Sequence, residues 1–452
     1  MLTLLAFVLA LCLLIAVHEF GHYRMAVACG VKVLRFSIGF GKPLWRWRSA
    51  SSSTEFVLAL FPLGGYVKML DEREGPVDAA QRHLAFNSQP LRKRAAIVAA
   101  GPVANLFLAV VLYSVVNWIG LQLPVPVLAQ PALGTVAYEA GLVGRDRVIR
   151  VSIGENTWQD VVSFEEVRWA LTRSVLQGED LSLQIARHDQ SVRDVQLKLS
   201  ALETAEVNAE LFAKIGIVGP FTRAVIGDTL AEGVAVQAGL LRGDEVLAVN
   251  GQEIVDGQQL RQVIRNSVAD GQMTPQVWKI MRQGHNLEIR LTPLVVSEGD
   301  KTVGRIGAYV GAPPEMVLVR HDLFGGLWRG LEQTWDVSVL TLKMMGKMLV
   351  GEASVKNISG PLTIADYAGK SAGLGLTQYL IFLALISVSL GVLNLLPLPV
   401  LDGGHLMYYL WEGVTGKPVT DRWMDHLQKG GMVLLALLMS IALFNDITRL
   451  FG

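Results

Sequence analysis

Residues 16–25 read AVHEFGHYRM, and they close an apolar run that carries no charge from Leu2 to Val17. Ionisable side chains at the end of such a run are costly at membrane depth, so they usually mark a functional site. On a helix, His18 and His22 are about one turn apart and share a face. This is the H-E-x-x-H pattern, in which two imidazoles bind zinc and the glutamate, here Glu19, acts on a water molecule. The stretch therefore predicts a metal site inside an apolar helix.

This apolar helix is one of four segments that could cross a membrane, namely Leu2–Val17, Ala95–Ile119, Tyr379–Leu396 and Gly430–Phe444. A helix needs about 20 apolar residues to cross the hydrocarbon layer, so the first and fourth segments must extend into their polar flanks. The alternative for the first segment is a cleaved signal peptide. The segment has no basic start and ends in HEFGH instead of a small-residue cleavage site, which argues against that alternative.

Composition agrees with a membrane protein and excludes several other classes. The chain has 452 residues, of which 51% are hydrophobic and only 18% are charged, against about 25% charged in a typical soluble protein. Its formal net charge is zero, so no overall field favours binding to nucleic acid. Cys12 and Cys29 are its only cysteines, which excludes a disulfide framework and a cysteine-ligated zinc site.

Basic residues predict the orientation of the spans. The loop from Arg24 to Arg94 holds twelve lysines and arginines, and loops rich in these residues stay in the cytoplasm. The segment from about 121 to 375 is then expected on the outer side. His18 and Glu19 are expected toward the cytoplasmic side of the membrane.

Two strand-like runs, residues 31–47 and 55–70, flank the polar stretch SASSST at 49–54 and predict a β-hairpin. Glycines should interrupt or bend it; they are Gly39, Gly41, Gly64 and Gly65. Its open edge could accept an extended chain. The alternative is a surface hairpin that simply carries basic residues.

The segment between the second and third spans contains an internal repeat. AGLVGRDRVIRV begins at Ala140 and AGLLRGDEVLAVNG begins at Ala238, 98 residues later, which aligns Asp146 with Asp244. A period near 100 residues indicates two tandem domains. The pattern resembles PDZ domains, which bind extended peptides by adding a strand, although the first copy departs from it at residues 144–145 and 152–153. A packing module without a ligand is the alternative for each copy.

Two histidines do not complete a catalytic zinc site, which normally has three protein ligands and one open position. The best candidate for the third ligand lies in NLLPLPVLDGGHL, which begins at Asn394. Pro397 and Pro399 cannot continue a regular helix, and Asp402 follows directly. A carboxylate beside apolar sequence needs a partner, and a zinc ion would supply one. His405 is the competing ligand.

Gly101 and Asn105 lie in the stretch AAGPVANLF of the second apolar segment. Close helix packing is expected for both, with a role in the site as the alternative.

HEFGH near the start, NLLPLPVLDGG downstream and the repeats between them resemble the intramembrane zinc proteases of the site-2 protease family, and in particular the bacterial members that regulate the envelope stress response. The resemblance covers essentially the whole chain. It implies one Zn²⁺ per chain bound by His18, His22 and Asp402, with Glu19 as the general base. It also implies that Asn394 lies beside the substrate, although an interhelical hydrogen bond is the alternative for Asn394. Gly39, Phe40 and Gly41 would lie in a membrane-re-entrant hairpin.

The expected fold is an α-helical membrane protein, a four-span transmembrane bundle with a membrane-associated β-hairpin and two periplasmic PDZ-like α/β domains. The expected segments are 1–120 (two spans and the hairpin), 121–213 and 214–298 (the PDZ-like domains), 299–375 (a linker with amphipathic helices) and 376–452 (two spans and the zinc-ligand loop). The alternative for residues 323–350 is a core helix on the second repeat.

By the same resemblance, the protein resides in the bacterial inner membrane and contacts lipid but no nucleic acid. Its partner would be a single-pass membrane protein, such as an anti-sigma factor, that has already been trimmed on its outer side. The PDZ pair would screen substrates by size. Two other functions are a zinc-binding receptor without proteolysis and a transporter with an intramembrane metal site. Glu19 argues against the first, because binding zinc alone does not need it, and four spans without membrane repeats argue against the second.

Overall fold

The computed structural model describes residues 2–48, 54–73, 75–154, 157–187, 189–202, 209–269, 272–298, 301–350 and 360–451. The chain divides into two compact units. The first consists of Met1–Gly120 and Arg320–Gly452, and the second is Leu121–Val319. Residues 49–53 of the predicted polar turn lie outside the described residues.

The first unit begins with helix α1 (Leu2–Ala28), strands β1 (Val33–Arg48) and β2 (Glu55–Met69), a 3-10 helix (Ala79–Leu84) and helix α2 (Leu91–Ile119). Helix α1 ends because Gly30 adopts a φ of 82° and the N–H of Val31 bonds back to the carbonyl of Ala26. Glycine is favoured at such a left-handed helix end. This ending turns the chain directly from α1 into the hairpin.

The pairing within the hairpin is more complex than that of two straight antiparallel strands. Residues 33–38 of β1 are in register with residues 65–69 of β2 and also with residues 55–58, while residues 43–48 are in register with residues 55–59. The reversal occurs at Gly39 and Gly41, whose φ angles are 90° and 91°. This is the left-handed region that glycine tolerates without strain. The predicted hairpin therefore exists, and glycines bend it as expected.

The second unit contains, in chain order, β3 (Leu121–Pro124), α3 (Val136–Glu139), β4 (Arg147–Ile153), β5 (Gln159–Asp160), α4 (Phe164–Gln177), β6 (Leu181–Ala186), β7 (Val192–Leu197), α5 (Ala209–Ile215), β8 (Ile226–Thr229), α6 (Val234–Gln237), β9 (Glu245–Val249), β10 (Gln252–Glu253), α7 (Gly257–Arg265), β11 (Val268–Ala269), β12 (Gln272–Met273), β13 (Gln276–Arg282), β14 (His285–Leu291), β15 (Leu294–Glu298), β16 (Lys301–Arg305), β17 (Ala308–Val310) and β18 (Met316–Val319).

The two repeated motifs have equivalent surroundings in this unit. Each motif starts directly after a short helix, α3 or α6, and continues into a strand, β4 or β9. The two four-stranded sheets have matching orders, β5-β4-β6-β7 and β10-β9-β13-β14. Each copy also has its own buried core, one around Leu183 and the other around Trp278. The internal repeat in the sequence therefore corresponds to a repeated fold.

One predicted boundary differs from the structure. The linker was expected to begin at residue 299, but β16, β17 and β18 all belong to the second unit, which ends at Val319. Strand β18 pairs with β3, at the other end of the unit. A pairing between segments almost 200 residues apart has no local sequence pattern, because the register depends on the partner strand.

The chain then returns to the first unit with α8 (Leu323–Leu349), α9 (Pro361–Gly373), α10 (Leu376–Asn394), α11 (Asp402–Thr415) and α12 (Asp421–Phe451). Within the part of the chain that the structure describes, four helical stretches are long and apolar enough to cross a membrane: Leu2–Ala28, Leu91–Ile119, Leu376–Asn394 and Arg422–Thr448. These are the four predicted segments, and the first and fourth extend into their polar flanks as expected.

Helices α1, α2, α9 and α10 share one buried core, which includes Ala6, Ala109, Ala368 and Val388. Helix α8 packs on α2, where a Cβ at Gly330 would lie 2.4 Å from the Oγ of Ser114. Trp328 and Trp335 of α8 remain exposed. The α1–α2 contact within this core positions the candidate site.

Candidate metal centre

Three side chains from distant parts of the sequence converge on one point of the first unit. His18 and His22 lie on one face of α1, and Asp402 is the first residue of α11. The two Nε2 atoms are 3.2 Å apart. Asp402 Oδ2 lies 3.2 Å from Nε2 of His18 and 3.6 Å from Nε2 of His22. These three residues form a group that could hold a metal ion.

The spacing of the three donor atoms fits zinc. Nitrogen and oxygen ligands bind tetrahedral zinc at about 2.0–2.2 Å, which places the ligand atoms roughly 3.3–3.6 Å from one another. The observed separations of 3.2, 3.2 and 3.6 Å are close to these values. Two imidazoles and one carboxylate are also a known donor set for a catalytic zinc ion with an open position.

Asp402 reaches the histidines because the chain folds back sharply after α10. A Cβ on Gly403 would lie 2.1 Å from the carbonyl oxygen of Leu396, and a Cβ on Gly404 would lie 2.3 Å from that of Leu398. Only glycine fits at both positions. The D-G-G sequence therefore allows α11 to begin against the end of the preceding helix, with Asp402 directed toward α1.

The electrostatics of Asp402, which lies outside the four candidate spans, favour the form that binds a cation. Burial alone would raise its pKa, but hydrogen bonds and charge interactions with His18 and His22 lower the pKa to about 2. The carboxylate is therefore ionised at neutral pH. Its charge lies directly beside the nitrogen atoms that face it.

The other nitrogen of His22 is held by α2. Its Nδ1 lies 2.9 Å from the carbonyl oxygen of Ile97. The imidazole can donate from Nδ1 to that oxygen, which leaves Nε2 as the unprotonated ligand atom. Gly101 makes room for the ring, because a Cβ there would lie 2.2 Å from Nε2 of His22. The sequence favoured a packing role for Gly101, and the packing partner is the predicted ligand itself.

Glu19 faces the hairpin. A Cβ on Gly65 would lie 2.7 Å from Cγ of Glu19, so β2 passes directly beside this carboxylate. Gly65 is in register with Ile38, which precedes Gly39, Phe40 and Gly41. Phe40 is half exposed and stacks on Tyr66, with ring centroids 6.1 Å apart. The hairpin and the H-E-x-x-H helix therefore form one continuous surface at Glu19.

The remaining two candidates, His405 and Asn394, do not belong to the group of three donors. His405 lies one turn after Asp402 on α11, and its ring packs against Tyr408 with centroids 5.9 Å apart. Burial lowers the pKa of His405, which favours the neutral imidazole. Asn394 is the last residue of α10, eight positions before Asp402.

Asn105 is a neighbour of the site for which the sequence favoured helix packing, with a role in the site as the alternative. Its Nδ2 lies 3.3 Å from Nδ1 of His18. The sequence placed Gly101 and Asn105 in close helix packing, since an isolated asparagine in an apolar helix most often bonds to a neighbouring helix. The signal that could have identified it is the four-residue spacing of Gly101 and Asn105, which puts both on one face of α2.

Comparisons with known proteins agree with this geometry. Residues 6–438 match the sequence profile described as peptidase family M50. "Regulator of sigma-E protease RseP" of Escherichia coli strain K12 is 39% identical to this chain and is aligned over 99% of this chain and 98% of its own length. A protein of Ralstonia nicotianae that is named as a proposed zinc metalloprotease is 42% identical over 100% of this chain and 99% of its own.

The match to the family profile runs through both halves of the donor group, since it includes HEFGH on α1 and Asp402 on α11. The relatives also align over nearly their full lengths, so the similarity extends beyond a short motif. The chain belongs to peptidase family M50.

Proposed function

We propose that this protein is an intramembrane zinc metalloprotease that hydrolyses a peptide bond within or near the transmembrane segment of a single-pass membrane protein. The observation that carries the proposal is the convergence of His18, His22 and Asp402 at separations that suit tetrahedral zinc. Two of the three donors lie on a helix that is apolar enough to span a membrane. The names of the relatives, which include a zinc metalloprotease and a protease, support the same activity.

The division of roles follows from the positions of the side chains. A zinc ion held by His18, His22 and Asp402 would supply Lewis acidity, which polarises a carbonyl group and acidifies water. Glu19 lies beside the donors without belonging to the group of three. It is therefore placed to accept the proton of the attacking water and to deliver it to the leaving nitrogen as the peptide bond breaks.

The substrate must be presented in an extended form, because a transmembrane helix keeps its carbonyl groups in internal hydrogen bonds. Strand β2 passes Glu19 at Gly65, so a chain that paired with this part of the hairpin would run alongside the general base. Gly39 and Gly41 form the bend of the same hairpin, and Phe40 lies between them. We assign these three residues, with Asn394, to substrate binding.

The second unit is proposed to screen substrates. The matching strand orders of its two sheets support two PDZ-like domains, at about 121–213 and 214–298, within a unit that extends to Val319. The basic loop between the first two spans supports a bacterial inner-membrane protein with these domains in the periplasm. By likeness to the sigma-E regulator of E. coli, the substrate class is an anti-sigma factor already trimmed on its outer side.

The proposal is tested with Glu19→Gln, which preserves the shape of the side chain but removes the base. The purified variant should retain zinc, measured by elemental analysis, and should not cleave a labelled single-span peptide in detergent. Glu288→Gln, at an exposed position on β14, is the matched control and should cleave at the wild-type rate. Adding a zinc chelator should stop cleavage by the wild-type protein. Cleavage by Glu19→Gln, or by the chelated wild type, would refute the proposal.

A further inference from the structure

Asn105 is a buried polar residue of α2 whose side chain is only partly satisfied. Its exposed fraction is 1%. The amide lies 3.3 Å from Nδ1 of His18, and its Oδ1 is buried with no hydrogen-bond partner among the described residues. A buried polar atom without a partner is costly, so native proteins seldom keep one without a reason.

The reason lies in the tautomer of His18, that is, in which of its two ring nitrogens carries the hydrogen. Its Nε2 faces the donor group, 3.2 Å from both His22 Nε2 and Asp402 Oδ2. If Nε2 binds a cation, the ring hydrogen must be on Nδ1, which then needs an acceptor. The two ends of an asparagine amide have almost the same shape, and their assignment follows from the hydrogen bonds they make. Turning the amide over exchanges the two atoms, so that Oδ1 takes the place of Nδ2, the atom that now lies 3.3 Å from Nδ1.

We propose that Asn105 is a positioning residue, whose Oδ1 accepts a hydrogen bond from Nδ1 of His18 and so fixes the tautomer and ring orientation that bind zinc. This inference rests on the proposed function, because it requires zinc at the donor group. Asn105 would then act on the metal through His18 without touching the metal or the substrate.

The rest of α2 supports this role. The same helix provides the acceptor for the other histidine, since the carbonyl of Ile97 lies 2.9 Å from Nδ1 of His22. The backbone carbonyl of Asn105 accepts a hydrogen bond of 2.7 Å from Oγ of the buried Ser387 on α10. Asn105 is therefore held against α10 while its side chain is directed at α1. Both imidazoles thus take their orientation from one helix, and outer partners of this kind typically change metal affinity about 10–100-fold.

The test compares three variants of the full-length protein in detergent. Asn105→Leu removes the acceptor but keeps the volume, and Asn105→Asp keeps an oxygen at the same place. Asn117→Leu is the matched control, because Asn117 is also buried on α2 but donates to the carbonyl of Tyr113 and to Gln333. The zinc dissociation constant is measured by competition with a chelator. The visible spectrum of the cobalt-substituted protein reports on the ligand geometry.

Asn105→Leu should weaken zinc binding about 10–100-fold and change the cobalt spectrum, whereas Asn105→Asp and Asn117→Leu should retain wild-type affinity. If Asn105→Leu does not accumulate, Asn105→Ala removes the same acceptor without adding bulk. Wild-type affinity in the variant lacking the acceptor would overturn the inference. So would an equal loss in Asn105→Asp, which would point to packing. A wild-type protein that binds no zinc would instead refute the proposed function.

Discussion

Two aspartates, the fully buried Asp244 in the second unit and the partly buried Asp402 in the first, show how the same side chain can have different roles. Asp244 in the second unit has a fixed cation, since Nε and Nη2 of Arg282 both lie 2.7 Å from its oxygens, and it also accepts from the N–H of Leu241. Asp402 in the first unit faces two imidazole nitrogens instead. A guanidinium completes the charge balance of a carboxylate. An imidazole must be neutral to bind a metal, so in a metal site the charge of the carboxylate would be balanced by the bound cation.

The first repeat provides a third case. Asp146 occupies the position equivalent to Asp244 and accepts from the N–H of Val143. Its arginine, Arg187, is further away, with Nε 3.7 Å from the carboxylate, and that buried Nε has no hydrogen-bond partner among the described residues. The two repeats therefore share a motif but differ in how completely its charge is paired.

The largest expected effect is on zinc affinity and cleavage, and it distinguishes Asp402 from the nearby His405. Asp402→Ala should lower zinc affinity by more than about 100-fold and abolish cleavage, because only two of three ligands remain. His405→Ala should retain both properties. Elemental analysis beside the cleavage rate measures the difference. Loss of zinc in His405→Ala with retention in Asp402→Ala would reverse the ligand assignment.

The next largest effect is on stability, and it concerns Asp244, the aspartate that is paired with Arg282. Asp244→Ala should destabilise the second repeat by about 3–5 kcal/mol, because it leaves the Arg282 guanidinium without its buried partner. Asp146→Ala should cost only about 1–3 kcal/mol, the range for an unsatisfied buried donor. Hydrogen exchange of peptides from β13 and β6 in the full-length protein reports both values. Equal losses would show that the longer Arg187 contact stabilises as much as the shorter pair.

The contributions of Asp244 and Asp146 to the stability of their repeats should depend on pH with opposite signs. Burial raises the pKa of Asp244, but the contacts with Arg282 and the N–H of Leu241 more than offset it, so the pKa is lowered. Its contribution is present above about pH 4, the unfolded value, and is lost as pH falls through the lowered pKa. For Asp146, burial outweighs the other contacts and raises the pKa, so protonation favours its folded repeat.

Lowering the pH from 6 to 3 should therefore reduce the protection of β13 more than that of β6. Hydrogen exchange measures this, once it is corrected for the chemical exchange rate. Asp244→Asn should reduce this difference to the part that Asp146 contributes. A first repeat that loses protection as steeply as the second would contradict the assigned signs.

The smallest effect compares two equivalent turn residues. Gly243 has a φ of 96° and Arg145, its counterpart, has a φ of 75°. Gly243→Ala should cost about 1–2 kcal/mol, since the left-handed conformation is strained for a residue with a Cβ and no atom lies within 4 Å to compensate. Arg145→Ala should change this strain little, because arginine already bears it. Exchange in β9 and β4 provides the measurement, and an unchanged β9 would show that the turn relaxes.

The sequence predicts well those parts of the molecule that have a pattern among neighbouring residues. HEFGH indicated that His18 and His22 lie side by side because the helix repeat alone brings them together, and continuous apolar runs indicated the four candidate spans. Asp402 required more, namely the prolines and glycines that end one helix and start the next. The repeat was visible because both copies keep the residues around Asp146 and Asp244.

What the sequence did not predict depends on contacts between distant segments. Nothing near Gly65 indicates that it lies against Glu19, and nothing near Asn105 identifies His18 as its neighbour. The strands after residue 300 were assigned to a linker because β18 is recognisable only beside β3. Register and interhelical contacts are set by the partner, so a single segment does not encode them.

The distance along the chain between the parts of the donor group has a consequence for biosynthesis. Between His18 and Asp402 the ribosome adds 402 − 18 = 384 residues, which takes roughly 20–80 s at about 5–20 residues per second. During that interval the nascent chain carries H-E-x-x-H but lacks the carboxylate that completes the set of three. Under the proposed function, the zinc site would therefore stay incomplete while most of the chain is being inserted into the membrane. The order of the motifs, one early and one late, delays completion of the donor group until only α11 and α12 remain to be synthesised.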